Sequence, residues 1–111
     1  MEHQLSDEIS MEIARRVAAQ LRAVPELLAV ARENLARWSR LNAGAPSLLR
    51  CYAEWGQILE RPLEDICEAL CADNERGQQL RQNSPFAGVL SPAEIWEIKS
   101  RLRRNIGSMA R

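Results

Sequence analysis

The sequence predicts an all-α protein, a compact bundle of five to six helices. Three observations support this prediction. Apolar residues recur every three or four positions along most of the chain, no stretch alternates apolar and polar residues as a strand does, and prolines separate the periodic segments. The 111 residues, 46% of them hydrophobic, match the usual size of a single domain. We therefore expect one domain over residues 1–111, with frayed ends at 1–5 and 107–111.

Two amphipathic helices are predicted in the first part of the chain. Ser6 is the expected N-cap of the first helix, because its hydroxyl can accept a hydrogen bond from a backbone N–H of the first turn. The apolar stripe of this helix repeats at i+4 and consists of Ile9, Ile13, Val17 and Leu21. Pro25 ends the helix and begins the second, which runs to about Leu41 before the break at residues 42–46.

Three shorter helices are predicted after this break. Pro62 begins the second of them, whose apolar face consists of Leu63, Ile66, Cys67 and Leu70. Asp73 is the expected cap of a short polar helix that follows. Residues 83–90 place a proline and a glycine among apolar side chains, so this segment is expected to be irregular but packed.

A capping box predicts the start of the sixth helix. Ser91 and Glu94 stand three residues apart, and Pro92 occupies the first helical position between them. The residues of this helix that we expect to face the core are Ile95, Trp96, Ile98 and Leu102. Each of the three tryptophans falls on the apolar face of a different predicted helix. We interpret all three as core side chains rather than as a platform for stacking a ligand.

Few residues of the chain are suited to catalysis or metal binding. The single histidine is His3, and the three cysteines, Cys51, Cys67 and Cys71, contain no Cys-x-x-Cys pair. Three thiolates can bind zinc or an iron–sulfur cluster, but cysteines at helical spacing among apolar neighbours are more typical of a core. We therefore expect no enzyme, no metal and no cofactor. Reduced thiols and the lack of any long apolar run indicate a cytoplasmic protein without a membrane span.

Opposite charges are concentrated in two regions, although the net charge is zero. Residues 60–75 contain six acids and one arginine, and residues 98–111 contain five basic residues and no acid. Helix dipoles account for part of each region, and the rest is available for a partner. The expected contact residues are Glu64, Asp65, Glu68 and Asp73, with Arg101, Arg103 and Arg104 as the second choice. Alternatively the two regions meet each other, within one chain or across a homodimer.

Residues 62–83 also have the spacing of a helix-turn-helix, which makes a DNA-binding transcriptional regulator the alternative function. The second helix of this motif would carry residue types that read bases, namely Arg76, Gln78, Gln79, Arg81, Gln82 and Asn83. The acidic first helix, the glycine at position 77 and the zero net charge count against this alternative.

Three segments of the chain form a recognisable pattern. They read Leu-Leu-Arg-Cys-Tyr-Ala-Glu-Trp at 48–55, Pro-Leu-Glu-Asp at 62–65 and Leu-Arg-Gln-Asn-Ser-Pro-Phe-Ala-Gly-Val-Leu-Ser at 80–91. Over residues 30–105 this pattern resembles a module of small bacterial proteins of antitoxin type. The resemblance implies a protein-binding role, in which the module holds and neutralises a toxin encoded beside it.

Some proteins of this type carry a separate DNA-binding domain ahead of the module. The 111 residues leave no room for one, so we expect a protein partner rather than nucleic acid. Two mechanisms are open: an acidic surface that covers a basic cleft of the partner, or a helix laid in a groove.

Overall fold

The structure of the protein, a computed structural model, describes the backbone of residues 2–109 and the side chains of residues 4–105. Its elements are α1 (Glu2–Ala23), a 3-10 turn (Pro25–Leu27), α2 (Leu28–Leu41), α3 (Pro46–Ile58), α4 (Leu63–Cys71), α5 (Glu75–Gln82) and α6 (Pro92–Met109). Residues 2–109 contain no strand, which confirms the predicted all-α fold. None of these helices is long and apolar enough to cross a membrane.

Both terminal helices are longer than the sequence predicts. Ser6 lies inside α1 instead of capping it, because the residues before it form helix readily and include no breaker. The ends expected to fray were residues 1–5 and 107–111. Here the helical backbone extends to Glu2 and Met109, and residues 1, 110 and 111 lie outside the described residues.

The internal helix boundaries follow the prolines and polar caps of the sequence. Prolines separate α1 from α2 and precede α4. At α6 the Glu94 N–H donates to Ser91 Oγ at 3.1 Å and the Ser91 N–H donates to Glu94 Oε1 at 3.0 Å, which confirms the capping box. The cap of α5 is Asn74 and not Asp73 as predicted, because Asn74 Oδ1 accepts from the Gly77 N–H at 2.8 Å.

Trp55 joins three parts of the core. Its side chain is 0% exposed, and its Nε1–H donates to the Leu80 carbonyl at 2.9 Å. Its ring meets Phe86 edge to face, with 5.6 Å between the ring centroids. Trp55 therefore ties α3 to α5 and to the segment that follows α5, while α1 packs against both α4 and α6.

The segment 83–90 is irregular and packed, as predicted. Pro85, Phe86 and Leu90 are buried within it. Asn34 of α2, itself only 5% exposed, holds the segment: its Nδ2 donates to the carbonyls of Pro85 at 2.8 Å and Ala87 at 2.9 Å. Arg37 donates to the Oδ1 of Asn34 at 2.7 Å, so both ends of this buried amide have partners.

The prediction that Trp96 faces the core is wrong. Its side chain is 69% exposed, whereas Ile98 is fully buried. Residues two positions apart point to nearly opposite sides of a helix, so these two side chains cannot both face the core. The buried stripe of α6 follows Ile95, Ile98 and Leu102 instead. Trp55 is a core side chain and Trp38 packs half-buried against the core, as predicted.

Candidate partner-binding surfaces

The predicted acidic contact residues lie on the exposed side of α4 and in the turn after it. The helix buries its apolar stripe and leaves its three acids in solvent, namely Glu64, Asp65 and Glu68. Asp73 is also exposed but lies beyond the other end of α4, and that end is roughly 10 Å along the helix axis from Glu64. Three of the four acids therefore lie together in the first two turns of α4, and Asp73 lies apart from them.

Glu64 is paired within the chain. Arg22, near the end of α1, donates from Nε to Glu64 Oε2 at 3.0 Å and from Nη2 to Oε1 at 3.0 Å. These hydrogen bonds hold the pKa of the Glu64 carboxyl below its ordinary value, and the positive charge of Arg22 adds to the effect. Glu64 consequently links α1 to α4 and has less free charge for a partner than Asp65 or Glu68.

Asp73 belongs to a larger acidic surface, which we call the acidic groove. It has a volume of about 400 Å³ and lies between α1, α6 and the turn after α4. Four carboxylates and one arginine line it, with two apolar residues and one amide: Asp7, Glu8, Glu12, Arg15, Asp73, Met11, Leu102 and Gln4. Glu12 accepts from Arg101 at 3.4 Å and lies 3.7 Å from Arg15, so the remaining acids dominate the charge of this groove.

The three predicted arginines of α6 occupy different environments. Arg101 is half-buried and bound to Glu12 at the edge of the acidic groove. Arg104 is exposed and lines neither of the grooves described here. Arg103 is exposed and lines a second groove on another face of α1. The structure therefore separates the three side chains, and Arg103 is the one that borders a concave surface.

This second surface, the basic groove, has a volume of about 390 Å³. Its apolar lining comes mainly from one stripe of α1 and consists of Ile9, Ile13, Ala14, Val17 and Leu70. Three cations and three hydroxyls complete it: Arg81, Lys99, Arg103, Ser6, Ser10 and Ser84. No acid among residues 4–105 lines this groove, and neither Lys99 nor Arg103 forms an ion pair with a described side chain.

Arg81 in the wall of the basic groove is only partly satisfied. Its Nη1 donates to the carbonyls of Leu70 at 3.0 Å and Ala72 at 2.7 Å, which caps the end of α4. Its Nε–H is buried and has no hydrogen-bond partner among the described residues. An unpaired buried donor of this kind is unfavourable for the fold by about 1–3 kcal/mol.

The predicted helix-turn-helix segment uses its arginines internally. Arg76 forms an ion pair with Glu54 of α3, and Arg81 caps α4. Gly77 is buried against the turn, where a Cβ atom would overlap the carbonyl oxygen of Ala72. The exposed residues of α5 that remain free of these contacts include Gln78, Gln79 and Gln82. Such a face has little positive charge for phosphate contacts, which carry much of DNA affinity.

The cysteines are free thiols in apolar surroundings. Cys67 is buried and Cys51 and Cys71 are half-buried. Burial raises the pKa of the Cys67 and Cys71 thiols, against the opposing effect of the nearby Arg22 charge, so the reactive thiolate is disfavoured. Among the described residues, no group of three or more His, Cys, Asp or Glu side chains is placed to hold a metal ion.

Several groove residues could not be identified from the sequence. Asp7 and Glu8 look like ordinary acids of a helix start, and Lys99 looks like one more basic residue of α6. Their roles depend on which helices pack together, and local pattern does not give this information. The i+4 stripe from Ile9 to Val17 can be recognised in the sequence. The sequence does not show that Ile9 and Ile13 are only half-buried and that the stripe lines a groove.

Compared with models of protein families, with curated proteins and with solved structures, the chain gives no match. The fold and the two grooves therefore define its class on their own: a small all-α protein whose first helix borders an acidic groove on one face and a basic groove on another.

Proposed function

We propose that this chain is a cytoplasmic protein-binding module, an antitoxin or small regulatory partner that binds and neutralises a cognate protein. The observation that supports this proposal most is the acidic groove together with the exposed acids of α4. Concave surfaces with an apolar floor and a charged rim are suited to binding a partner of opposite charge.

The acidic groove matches the chemistry of a basic partner segment. Met11 and Leu102 supply apolar contact for the aliphatic stems of Lys or Arg side chains, while Asp7, Glu8 and Asp73 stand around them. Asp65 and Glu68 add exposed negative charge on α4, where no described side chain forms an ion pair with either. An acidic surface of this kind accelerates association with a basic cleft and makes the rate depend on salt.

The test compares two charge reversals with a matched control. One variant carries Asp7→Lys, Glu8→Lys and Asp73→Lys, and a second carries Asp65→Lys and Glu68→Lys. The control changes three exposed acids that line neither groove, through Glu26→Lys, Glu33→Lys and Glu97→Lys. Each protein is used for affinity capture from the native host, and the captured partner is then titrated across a salt series.

We expect the wild type and the control to capture the same basic protein, and the groove reversal to lose it. Association of that protein with the wild type should slow steeply as salt increases. Equal capture by all variants would contradict the proposal. Capture of DNA alone, with a steep salt dependence, would favour the DNA-binding alternative on residues 62–83.

A further inference from the structure

The basic groove is a separate surface, and its chemistry suggests a ligand of a different kind. It is not needed for the protein-binding role proposed above, and it lies on another face of α1 from the acidic groove. Its volume of about 390 Å³ falls in the range of small-molecule sites, which are typically concave, mainly apolar and provided with a few polar groups.

The lining of this groove changes along α1. Ser6 and Ser10 stand at one end, and Ala14 and Val17 at the other, roughly 16 Å apart along the helix axis. Ile9 and Ile13 lie between these ends and are half-buried, so part of their apolar surface is open to an occupant. An elongated aliphatic chain fits such a floor, because it would remove this apolar surface from water.

The charged residues of the lining indicate the charge that the other end of the ligand should carry. Lys99 and Arg103 stand one helical turn apart on α6, both are exposed, and neither forms an ion pair with a described side chain. Arg81 adds a third positive charge and a buried Nε–H without an acceptor among the described residues. Since the charged residues that line the groove within residues 4–105 are all cations, the groove favours an anion and disfavours a cation.

We propose that the basic groove binds a small amphiphile that has an aliphatic tail and a carboxylate head. The tail lies along Ile9, Ile13 and Val17, and the carboxylate meets the cationic rim formed with Lys99 and Arg103. A carboxylate accepts charge-assisted hydrogen bonds from Lys and Arg side chains, which suits contact with Lys99 and Arg103. The hydroxyls of Ser6, Ser10 and Ser84 also line the groove and can donate hydrogen bonds to a carboxylate.

The probe for this proposal is decanoate, titrated into the full chain by calorimetry below its micellar concentration. Decanol and decyltrimethylammonium serve as neutral and cationic probes with the same tail. We expect saturable one-to-one binding of decanoate, weaker binding of decanol and no saturable binding of the cation. Amide chemical shifts should change along the groove face of α1 and around Lys99 and Arg103, and not in the acidic groove.

Matched variants separate the head contact from general charge. The double variant Lys99→Glu and Arg103→Glu should weaken decanoate binding by roughly tenfold or more, since it replaces attraction by repulsion. Arg104→Glu changes a neighbouring exposed charge outside the groove and should leave the affinity unchanged. Circular dichroism and thermal melting establish that the variants are folded.

The proposal is overturned if decanoate shows no saturable binding to the wild type. It is also overturned if all three probes bind equally, or if the double variant and Arg104→Glu behave alike. Amide chemical-shift changes confined to other surfaces would likewise exclude the basic groove as the binding site. These outcomes are independent of the partner capture that tests the acidic groove, so one proposal can fail without the other.

Discussion

The acidic groove and the basic groove border different faces of α1, yet they are built in different ways. In the acidic groove, arginines of α1 and α6 contact Glu12 and so balance part of the negative charge. In the basic groove, the wall formed by the described side chains contains no acid, and apolar residues of α1 form most of the floor. The first arrangement is suited to charge recognition, and the second combines charge with a place for an apolar group. Because the net charge of the chain is zero, its overall composition reveals neither groove.

The most severe change to the scaffold of both grooves is Trp55→Ala. Removing this fully buried side chain, its hydrogen bond to Leu80 and its contact with Phe86 should destabilise the protein by about 3–5 kcal/mol. Both grooves would be lost together, because α1 is held by the same core. Urea denaturation measures the effect.

Trp96→Ala is the matched control, since it removes the same side chain from a site that is 69% exposed. It should change the stability by no more than about 0.5 kcal/mol. A loss as large as that of Trp55→Ala would show that Trp96 belongs to the core after all.

Gly77→Ala should disturb the acidic groove more directly than the basic groove's apolar floor. An added Cβ would overlap the Ala72 carbonyl and displace the turn that carries Asp73. We expect the free energy of unfolding to fall by about 1–3 kcal/mol and the amide chemical shifts around residue 73 to change.

Gly56→Ala is the control, because nothing lies within 4 Å of its added Cβ. Because Gly56 stands inside α3, this change should stabilise the protein by roughly 0.5–1 kcal/mol. Thermal melting of both variants decides whether Gly77 is required.

Ser91→Ala tests how firmly the start of α6 is held, the helix that contributes Lys99 and Arg103 to one groove and Leu102 to the other. It removes the hydroxyl that accepts from the Glu94 N–H and should destabilise the protein by about 0.5–2 kcal/mol. Amide exchange in the first turn of α6 should accelerate, while exchange in α3 should change little. Unchanged exchange at residues 92–95 would contradict this role of the capping box.

The smallest expected effect concerns the link between α1 and α4. Hydrogen bonding by Arg22 lowers the pKa of Glu64 in the folded protein below its ordinary value of 4.5. A carboxyl of this kind stabilises the fold above its unfolded pKa, and this contribution is lost as the pH falls through the folded pKa. Glu64→Gln should therefore lower the melting temperature slightly at neutral pH, and the difference should shrink below pH 4.5. Asp65→Asn is the control for loss of a charge alone, because Asp65 is exposed at the adjacent position and forms no ion pair with a described side chain. If the difference in melting temperature between the wild type and Glu64→Gln grew towards low pH, the ion pair would be excluded as its cause.

The sequence predicted features that depend on local spacing. The helix starts near Pro25, Pro62 and Pro92 follow from a residue that cannot occupy a helix interior, and the Ser91–Glu94 box is a local pair. The packed segment 83–90 was also predictable, because its apolar residues require burial while its proline and glycine prevent a helix.

Features that depend on tertiary packing were missed or misread. Trp96 was assigned to the core for its apolar character, although Ile98 two positions later already fixed the buried side of α6. Gly77 was interpreted as a weakness of a DNA-reading helix, whereas it permits close approach to Ala72. Asp7 and Asp73 are distant in sequence, and only the packing of α1 beside the turn after α4 places them around one groove.

The buried amide of Asn34 has a consequence for the uniqueness of the native state. Its two donated hydrogen bonds are matched to the carbonyls of Pro85 and Ala87. If the segment slid by one residue, this largely buried amide would lose these acceptors, and an unpaired buried polar group is unfavourable. An apolar side chain at this position would tolerate many nearly equivalent packings. Asn34 therefore favours one packed arrangement of segment 83–90 over the alternative packings. The same arrangement sets the position of Ser84 in the basic groove.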